Sequence, residues 1–309
     1  LVQKGECPLL LLNPNGILVG GNATIDASQL VLSTLAISTD DFNRMNNGPG
    51  GLATFAKAAN AGLGHIQVEK GAKINIDDVL LMAGGTVNVA DGVTFTTTGK
   101  TTDGKGDAIV EIAAADKMVV DSRSKQGAII GIESNKNNAV SFHGTFNNAN
   151  TSGNTNFYID GGTVNLDNAK IKLNDKSETY LVAGNKAKAT NSATTDNVIS
   201  GKNMTIEGGK ETVIGGGKVT LEDSKVESNG KISVGAGTSF MREEGENSSH
   251  NIVAAKASTG NEVVVKNSAL RNNSKEIQVS GGKITVDKST IESKDTAAVN
   301  AYKDRAALN

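Results

Sequence analysis

Cysteine is nearly absent. Cys7 is the single one in 309 residues, so no disulfide can close within the chain. Alone, it reads as a small buried or edge residue rather than a reactive thiol. Tryptophan is missing, aromatic residues make up 3% and there are 3 prolines. The aromatic shortage argues against a carbohydrate cleft, and the proline shortage leaves few slow isomerisation steps in folding. A formal net charge of -2 provides no basic footprint for nucleic acid. No apolar run approaches the ~18–20 residues of a membrane helix, so the chain is not read as membrane-spanning. No initiating Met, basic n-region or cleavage site is visible, and the chain reads as a processed product or an excised fragment.

Glycine is what the chain has in excess. Its 36 glycines stand well above the ~7% background. Short Val/Ile/Leu runs recur, each bounded by Gly, Asn, Asp or Ser. One phrase repeats four times: Gly84-Gly85-Thr86-Val87-Asn88-Val89, Gly161-Gly162-Thr163-Val164-Asn165-Leu166, Gly216-Gly217-Lys218-Val219-Thr220-Leu221 and Gly281-Gly282-Lys283-Ile284-Thr285-Val286. Self-similarity of this kind marks a repeat architecture. In each phrase apolar residues alternate with Thr, Asn or Lys, which places them on opposite faces of a strand. The corners carry too few Asn-Gly or Asp-Gly pairs for a stack of hairpins.

These features predict an all-β fold, a single-stranded right-handed parallel β-helix with loops leaving the rod and one short helix. The Gly-Gly pairs are its corners. At roughly 20–25 residues per coil, the chain makes on the order of a dozen coils. With ~4.8 Å between strands, the rod is roughly 60 Å long. The loops are expected at 40–64, 100–107, 134–155, 174–201 and 241–261, and the helix at 52–60 (LATFAKAAN). No domain boundary is visible, so residues 1–309 form one β-helix domain.

Asn13-Pro14-Asn15-Gly16-Ile17 lies between two apolar runs and predicts a tight turn. Pro14 has φ preset for position i+1 of a type I turn, Asn15 suits i+2, and Gly16 can take a left-handed exit. Asn13 at position i can bond its side chain to the backbone two residues on.

The string Leu10 to Gly20 (LLLNPNGILVG) resembles the Asn-Pro-Asn-Gly segment of the two-partner secretion domain. That domain opens filamentous haemagglutinin-like exoproteins of Gram-negative bacteria. Ala27-Ser28 through Leu32-Ser33-Thr34-Leu35-Ala36-Ile37-Ser38, followed by Asp41-Phe42, is similar to a second family segment. Gly64 to Ile74 (GHIQVEKGAKI) is similar to a third. The likeness covers residues 1–100; residues 101–309 match only in general β-helix character. The family places further residues, including capping strands, before its Asn-Pro-Asn-Gly segment, and these are not in the sequence.

The resemblance implies a secreted or cell-surface protein, without enzymatic activity or cofactor, that crosses the periplasm and outer membrane. Its implied partner is an outer-membrane β-barrel transporter with periplasmic domains. Asn13, Pro14, Asn15, Gly16 and Ile17 are then the candidate secretion motif, although the same residues could simply shape a turn. A haemagglutinin-like adhesin that contacts a host-cell or bacterial-surface receptor, with a role in virulence, is the implied activity. The stalk of a contact-dependent inhibition exoprotein stays open as an alternative. Some exoproteins of this kind are N-glycosylated. Asn-x-Ser/Thr triplets stand at Asn22, Asn150, Asn203, Asn247 and Asn272, at a frequency that chance also produces.

A β-helical polysaccharide lyase or hydrolase is the rival of another class. It needs carboxylates converging from adjacent coils. Asp40-Asp41, Asp77-Asp78 and Glu243-Glu244-Glu246 are the candidates, read otherwise as surface charge. His65, His143 and His250 share no metal-ligand spacing. Asp103-Gly104-Lys105-Gly106-Asp107 resembles a calcium loop, but Lys105 would repel the ion.

Overall fold

The computed structural model describes residues 2–3, 9–47, 51–59, 61–100, 106–121, 129–151, 153–187, 190–237, 240–241, 257 and 260–301. Nine complete coils stack among them, at 17–33, 65–84, 86–114, 139–161, 163–183, 198–216, 218–236, 262–281 and 283–301. Each coil has three faces, covered by two strands in the first two coils and three in the others, and each strand pairs in parallel with its counterparts in the next coils. The first face is a nine-stranded sheet. The second and third faces share an 18-stranded sheet, because Thr24–Ser33 and Lys73–Gly84 each bend from one face onto the other. The fold is a parallel β-helix. Backbone groups are satisfied between coils, as a buried solenoid interior requires.

The strands form where short β-branched runs alternate with polar residues. One side faces a narrow interior that fits Val, Ile and Leu, and the other faces out. In-register columns make the core. Ile17, Ile66, Val87, Val140, Val164, Ile199, Val219, Val263 and Ile284 form one column along the first face. The largest side chains gather in the third and fourth coils. Phe157 lies 5.5 Å from Phe142 and 4.6 Å from Phe146 between ring centroids, all fully buried.

Nine coils replace the expected dozen, and the rod is about 40 Å long at ~4.8 Å per strand. The difference comes from chain that leaves the rod. Segments 34–64, 115–138, 184–197 and 237–261 depart after the first, third, fifth and seventh coils. Their strands join sideways into one antiparallel sheet of seven strands. This outer sheet covers the third face. Phe55, Met118, Val120, Ile129 and Ile132 pack from it onto Val31, Leu81, Ala83 and Ala113.

The short helix is displaced from its expected position. Leu52–Ala56 is a strand of the outer sheet, with Ala53 and Phe55 buried and their neighbours turned out. The helix is Thr39–Asn47. The Ser38 hydroxyl accepts the Asp41 amide at 3.1 Å, Asp40 and Asp41 fill the first turn and Arg44 the last. Acid at the start and base at the end suit the helix dipole. The loops expected at 134–155 and 174–201 contain coil strands as well: Ala139–Phe142, Thr145–Asn148, Glu178–Ala183 and Val198–Lys202. Their abundance of Asn, Ser and Thr conceals a buried alternate face. Most of 100–107 and 241–261 lies outside the described residues.

Candidate recognition site at the first corner

Leu9–Leu12 is the third-face strand that stacks on Gln29–Ser33, in register from Leu9↔Leu30 to Leu12↔Ser33. The chain then turns directly onto the first face. The Asn13 amide donates to the Ser33 carbonyl at 3.0 Å, tying the turn to the coil above it. The Gly16 amide donates to the Asn13 carbonyl at 3.1 Å, closing a four-residue β-turn. The Asn15 amide donates to Asn13 Oδ1 at 3.1 Å. Gly16 exits with φ of 131°, and no residue before it in the turn has a positive φ, as type I requires and type II does not.

The five residues divide by exposure. Asn13, Pro14 and Asn15 stand in solvent, Gly16 is half-buried, and Ile17 enters the core column. Leu12 and Leu18 flank the turn, and Leu18 is 65% exposed on the outer side of the first face. From Leu9 to Ile25 no side chain is charged. A partner meeting this corner would therefore find amide hydrogen-bonding groups and apolar surface.

Two other segments converge here. Gly64 closes the first outer segment directly above the turn. A Cβ on it would lie 2.9 Å from the Pro14 carbonyl and 2.5 Å from Thr34 Cβ. The Ser33 hydroxyl accepts the Leu35 amide at 3.1 Å and donates to the Leu35 carbonyl at 3.0 Å, which sets the exit of that segment. The Gly85 amide donates to Thr34 Oγ1 at 3.3 Å. His65 Nδ1 lies 2.6 Å from Thr86 Oγ1, one coil up. Residues far apart in sequence (13–17, 33–35, 64–65 and 85–86) thus meet at one corner.

The Gly-Gly pairs mark the same corner at higher levels. Gly84, Gly161, Gly216 and Gly281 end third-face strands, and Gly85, Gly162, Gly217 and Gly282 make the bend onto the first face. None of these has a positive φ, so the need for glycine is a need for space. A Cβ on Gly162 would fall 1.6 Å from the Asn135 carbonyl oxygen, and one on Gly217 1.5 Å from that of Thr194.

The residues that tie these corners to the coil above carry no repeat signature in the sequence. Asn138, Asn197 and Asn261 are buried and each closes an outer segment. Their Nδ2 groups donate to the carbonyls of Gly85, Gly162 and Gly217 at 3.2, 3.0 and 3.0 Å. Each is the last polar residue before an alternating strand, and that position was the available signal.

The acidic candidates do not come together. Asp41 pairs with Arg44 at 2.8 Å and accepts the Thr54 amide at 3.1 Å. Asp40 is exposed on the same helix. Asp77 accepts the Thr98 hydroxyl, and Asp78 accepts Gln29 Nε2 at 2.7 Å. Glu243, Glu244 and Glu246 lie outside the described residues, as does His250. His143 Nδ1 is 2.7 Å from the Asp167 carbonyl, remote from His65. Among the described residues no group of three or more His, Cys, Asp or Glu could hold a metal ion. Within 103–107, only Gly106 and Asp107 are described, and Asp107 accepts the Asn154 amide at 2.9 Å. Cys7 and Asn247 also lie outside the described residues. Of the other glycosylation triplets, Asn22 and Asn203 are exposed, whereas Asn150 and Asn272 are buried. No described helix is long and apolar enough to cross a membrane.

Neither a family model nor a curated protein sequence matches the chain. Among solved structures, its fold is similar to that of the HMW1 secretion domain from Haemophilus influenzae, with a TM-score of 0.60 at 17% identity over 94% of this chain and 79% of that one.

Proposed function

We propose that this chain is the secretion domain of a Gram-negative exoprotein exported by a two-partner system, and that the corner at Asn13–Ile17 is read by its outer-membrane transporter. The observation that carries this reading is convergence. The three segments that resemble the two-partner secretion family meet at one corner, with the Asn-Pro-Asn tip exposed. The likeness of fold to a secretion domain supports it. The β-barrel transporter, with its periplasmic domains, would bind the uncharged turn through amide and apolar contacts. Residues 1–100 would carry the address and 101–309 the continuation of one β-helical domain.

The fold suits export without nucleotide hydrolysis. Each coil that stacks outside the membrane buries apolar columns, at ~25 cal/mol per Å², and opposes backsliding. The mature protein would be secreted or held at the cell surface. An adhesin that engages a host-cell or bacterial receptor is the role we favour.

Two substitutions test the address. Asn13→Asp keeps the acceptor for the Asn15 amide and so keeps the turn, but removes the exposed amide. Asn13→Ala removes both. If the transporter reads the side chain, both variants lose export from cells while the purified chains refold as wild type does. If Asn13→Asp is exported normally and Asn13→Ala is not, the residue acts by shaping the turn. Normal export and refolding of both would overturn the reading.

A further inference from the structure

The four Gly-Gly corners fall after the second, fourth, sixth and eighth coils, and the four outer segments after the first, third, fifth and seventh. This alternation has a metric cause. A coil rises by one strand spacing, ~4.8 Å, and a hairpin added to a sheet occupies two. The first three outer segments each add two strands to the outer sheet, and Phe240–Met241 is the described strand of the fourth; two strands for every two coils keep that sheet level with the rod, and two for every coil would need twice the height.

The Asn residues join the two repeats. Asn138 Nδ2 donates down to the Gly85 carbonyl at 3.2 Å, while its own carbonyl accepts the Gly162 and Thr163 amides above at 2.8 and 3.1 Å. Asn197 donates down to Gly162 at 3.0 Å and accepts from Gly217 and Lys218 at 2.8 and 3.0 Å. Asn261 donates down to Gly217 at 3.0 Å and accepts from Gly282 and Lys283 at 2.9 and 3.0 Å. The Oδ1 atoms of the first two also pin the returning chain: Asn135 N donates to Asn138 at 2.8 Å, and Thr194 N to Asn197 at 2.8 Å. Corner and Asn therefore alternate without a gap from Gly85 to Gly282. A buried Asn satisfied on both sides is a register device, since a slip by one coil leaves its donor facing another Asn.

We propose that the building unit of this protein is a pair of coils, with Asn138, Asn197 and Asn261 as the latches that enforce the pairing. Coil pairs are interchangeable and single coils are not. Removal of 162–216 joins Gly161 to Gly217. It sets the corner of the seventh coil on Asn138, in place of the corner of the fifth, and takes out one whole hairpin. The strand that follows in the outer sheet keeps its direction, because its antiparallel order loses two members. Removal of 162–183 alone sets two hairpins on successive coils and turns Asn197 onto Asn138.

The experiment compares the two deletions with the wild-type chain by circular dichroism, thermal unfolding and small-angle scattering. The two-coil deletion is expected to unfold cooperatively, with a rod about 10 Å shorter at ~4.8 Å per coil. The one-coil deletion is expected to lose cooperative unfolding or aggregate. Asn197→Asp keeps the acceptor for Thr194 but loses the donor to Gly162. It is expected to lower the unfolding midpoint more than Asn203→Asp, at an exposed corner of the sixth coil. The proposal is overturned if the two deletions behave alike, whether both fold or both fail, or if the Asn197 and Asn203 variants are equally stable.

Discussion

Gly162 and Gly62 are the same residue under opposite constraints. A methyl group on Gly162 meets a backbone carbonyl oxygen at 1.6 Å, and the Asn138 latch holds that stretch of backbone in place. A methyl group on Gly62 would meet nothing within 4 Å beyond its chain neighbours. Gly162→Ala is expected to cost about 3 kcal/mol, the upper end of overpacking. Gly62→Ala should change stability by less than about 0.5 kcal/mol, as at an open surface. Chemical unfolding of the two variants measures the contrast. Two lysines show a second contrast, in their titration. Lys231 is buried, and desolvation lowers its pKa against the raising influence of Glu276 and Glu211. Between that lowered value and the unfolded 10.5, the unfolded chain binds more protons, so this residue makes stability rise with pH. The pKa of Lys225 is raised, first by its hydrogen bond to Glu227. Its contribution is complete below 10.5 and is lost as pH climbs through the raised value. Unfolding midpoints from pH 8 to 11 should therefore lose an alkaline rise in Lys231→Met and an alkaline fall in Lys225→Gln.

Strands at the outer edges of neighbouring coils carry charge in alternating order. Lys202, Glu222, Lys266 and Asp287 stand in register, with Glu222 3.9 Å from Lys202 and 3.2 Å from Lys266. These groups are partly exposed, so each pair is worth about 0–1 kcal/mol. Glu222→Lys would place three like charges in one column. It is expected to cost about 1 kcal/mol at low salt, and a titration with salt should recover most of it. The same strands show how the sequence could be read. The Gly-Gly phrases stood out because a direct corner leaves no room for variation: carbonyls of the previous segment press on it. They identify every second coil. The intervening coils are obscured because each begins after an outer segment of different length, which breaks the period. At 52–60 the short run of Ala and Phe suits a helix locally, but burial of Ala53 and Phe55 against the third face decides for a strand. The turn at Asn13 was legible down to its hydrogen bonds, since Pro, Asn and Gly fix it locally. Asn138, Asn197 and Asn261 were not, because their partners are long-range: the Asn138 latch joins residues 53 positions apart.

Among the described residues each coil pairs with the coils beside it, while the outer sheet and the Asn229–Asp175 hydrogen bond reach a coil two levels away. Stability in such a stack is a sum of coil terms and interface terms, and one weak interface can divide it. Phe157 is the place to test this: inside the fourth coil it packs on Phe142 and Phe146, and Phe142 meets Phe95 of the third coil at 5.7 Å between ring centroids. Phe157→Ala should cost about 3–5 kcal/mol, taken chiefly from the packing inside the fourth coil. Against division stands the outer sheet, where Gly131↔Ala187 and Ile132↔Lys186 bridge the segments that follow the third and fifth coils. Two antiparallel residue pairs contribute less than the lost aromatic packing, so the fourth coil should give way first. Thermal unfolding of Phe157→Ala is then expected to split into two transitions. Hydrogen exchange should show amides of the first three coils protected after those of the fourth have opened. A single transition, shifted to lower temperature with exchange accelerated equally in all nine coils, would mean that the outer sheet couples the rod into one cooperative unit.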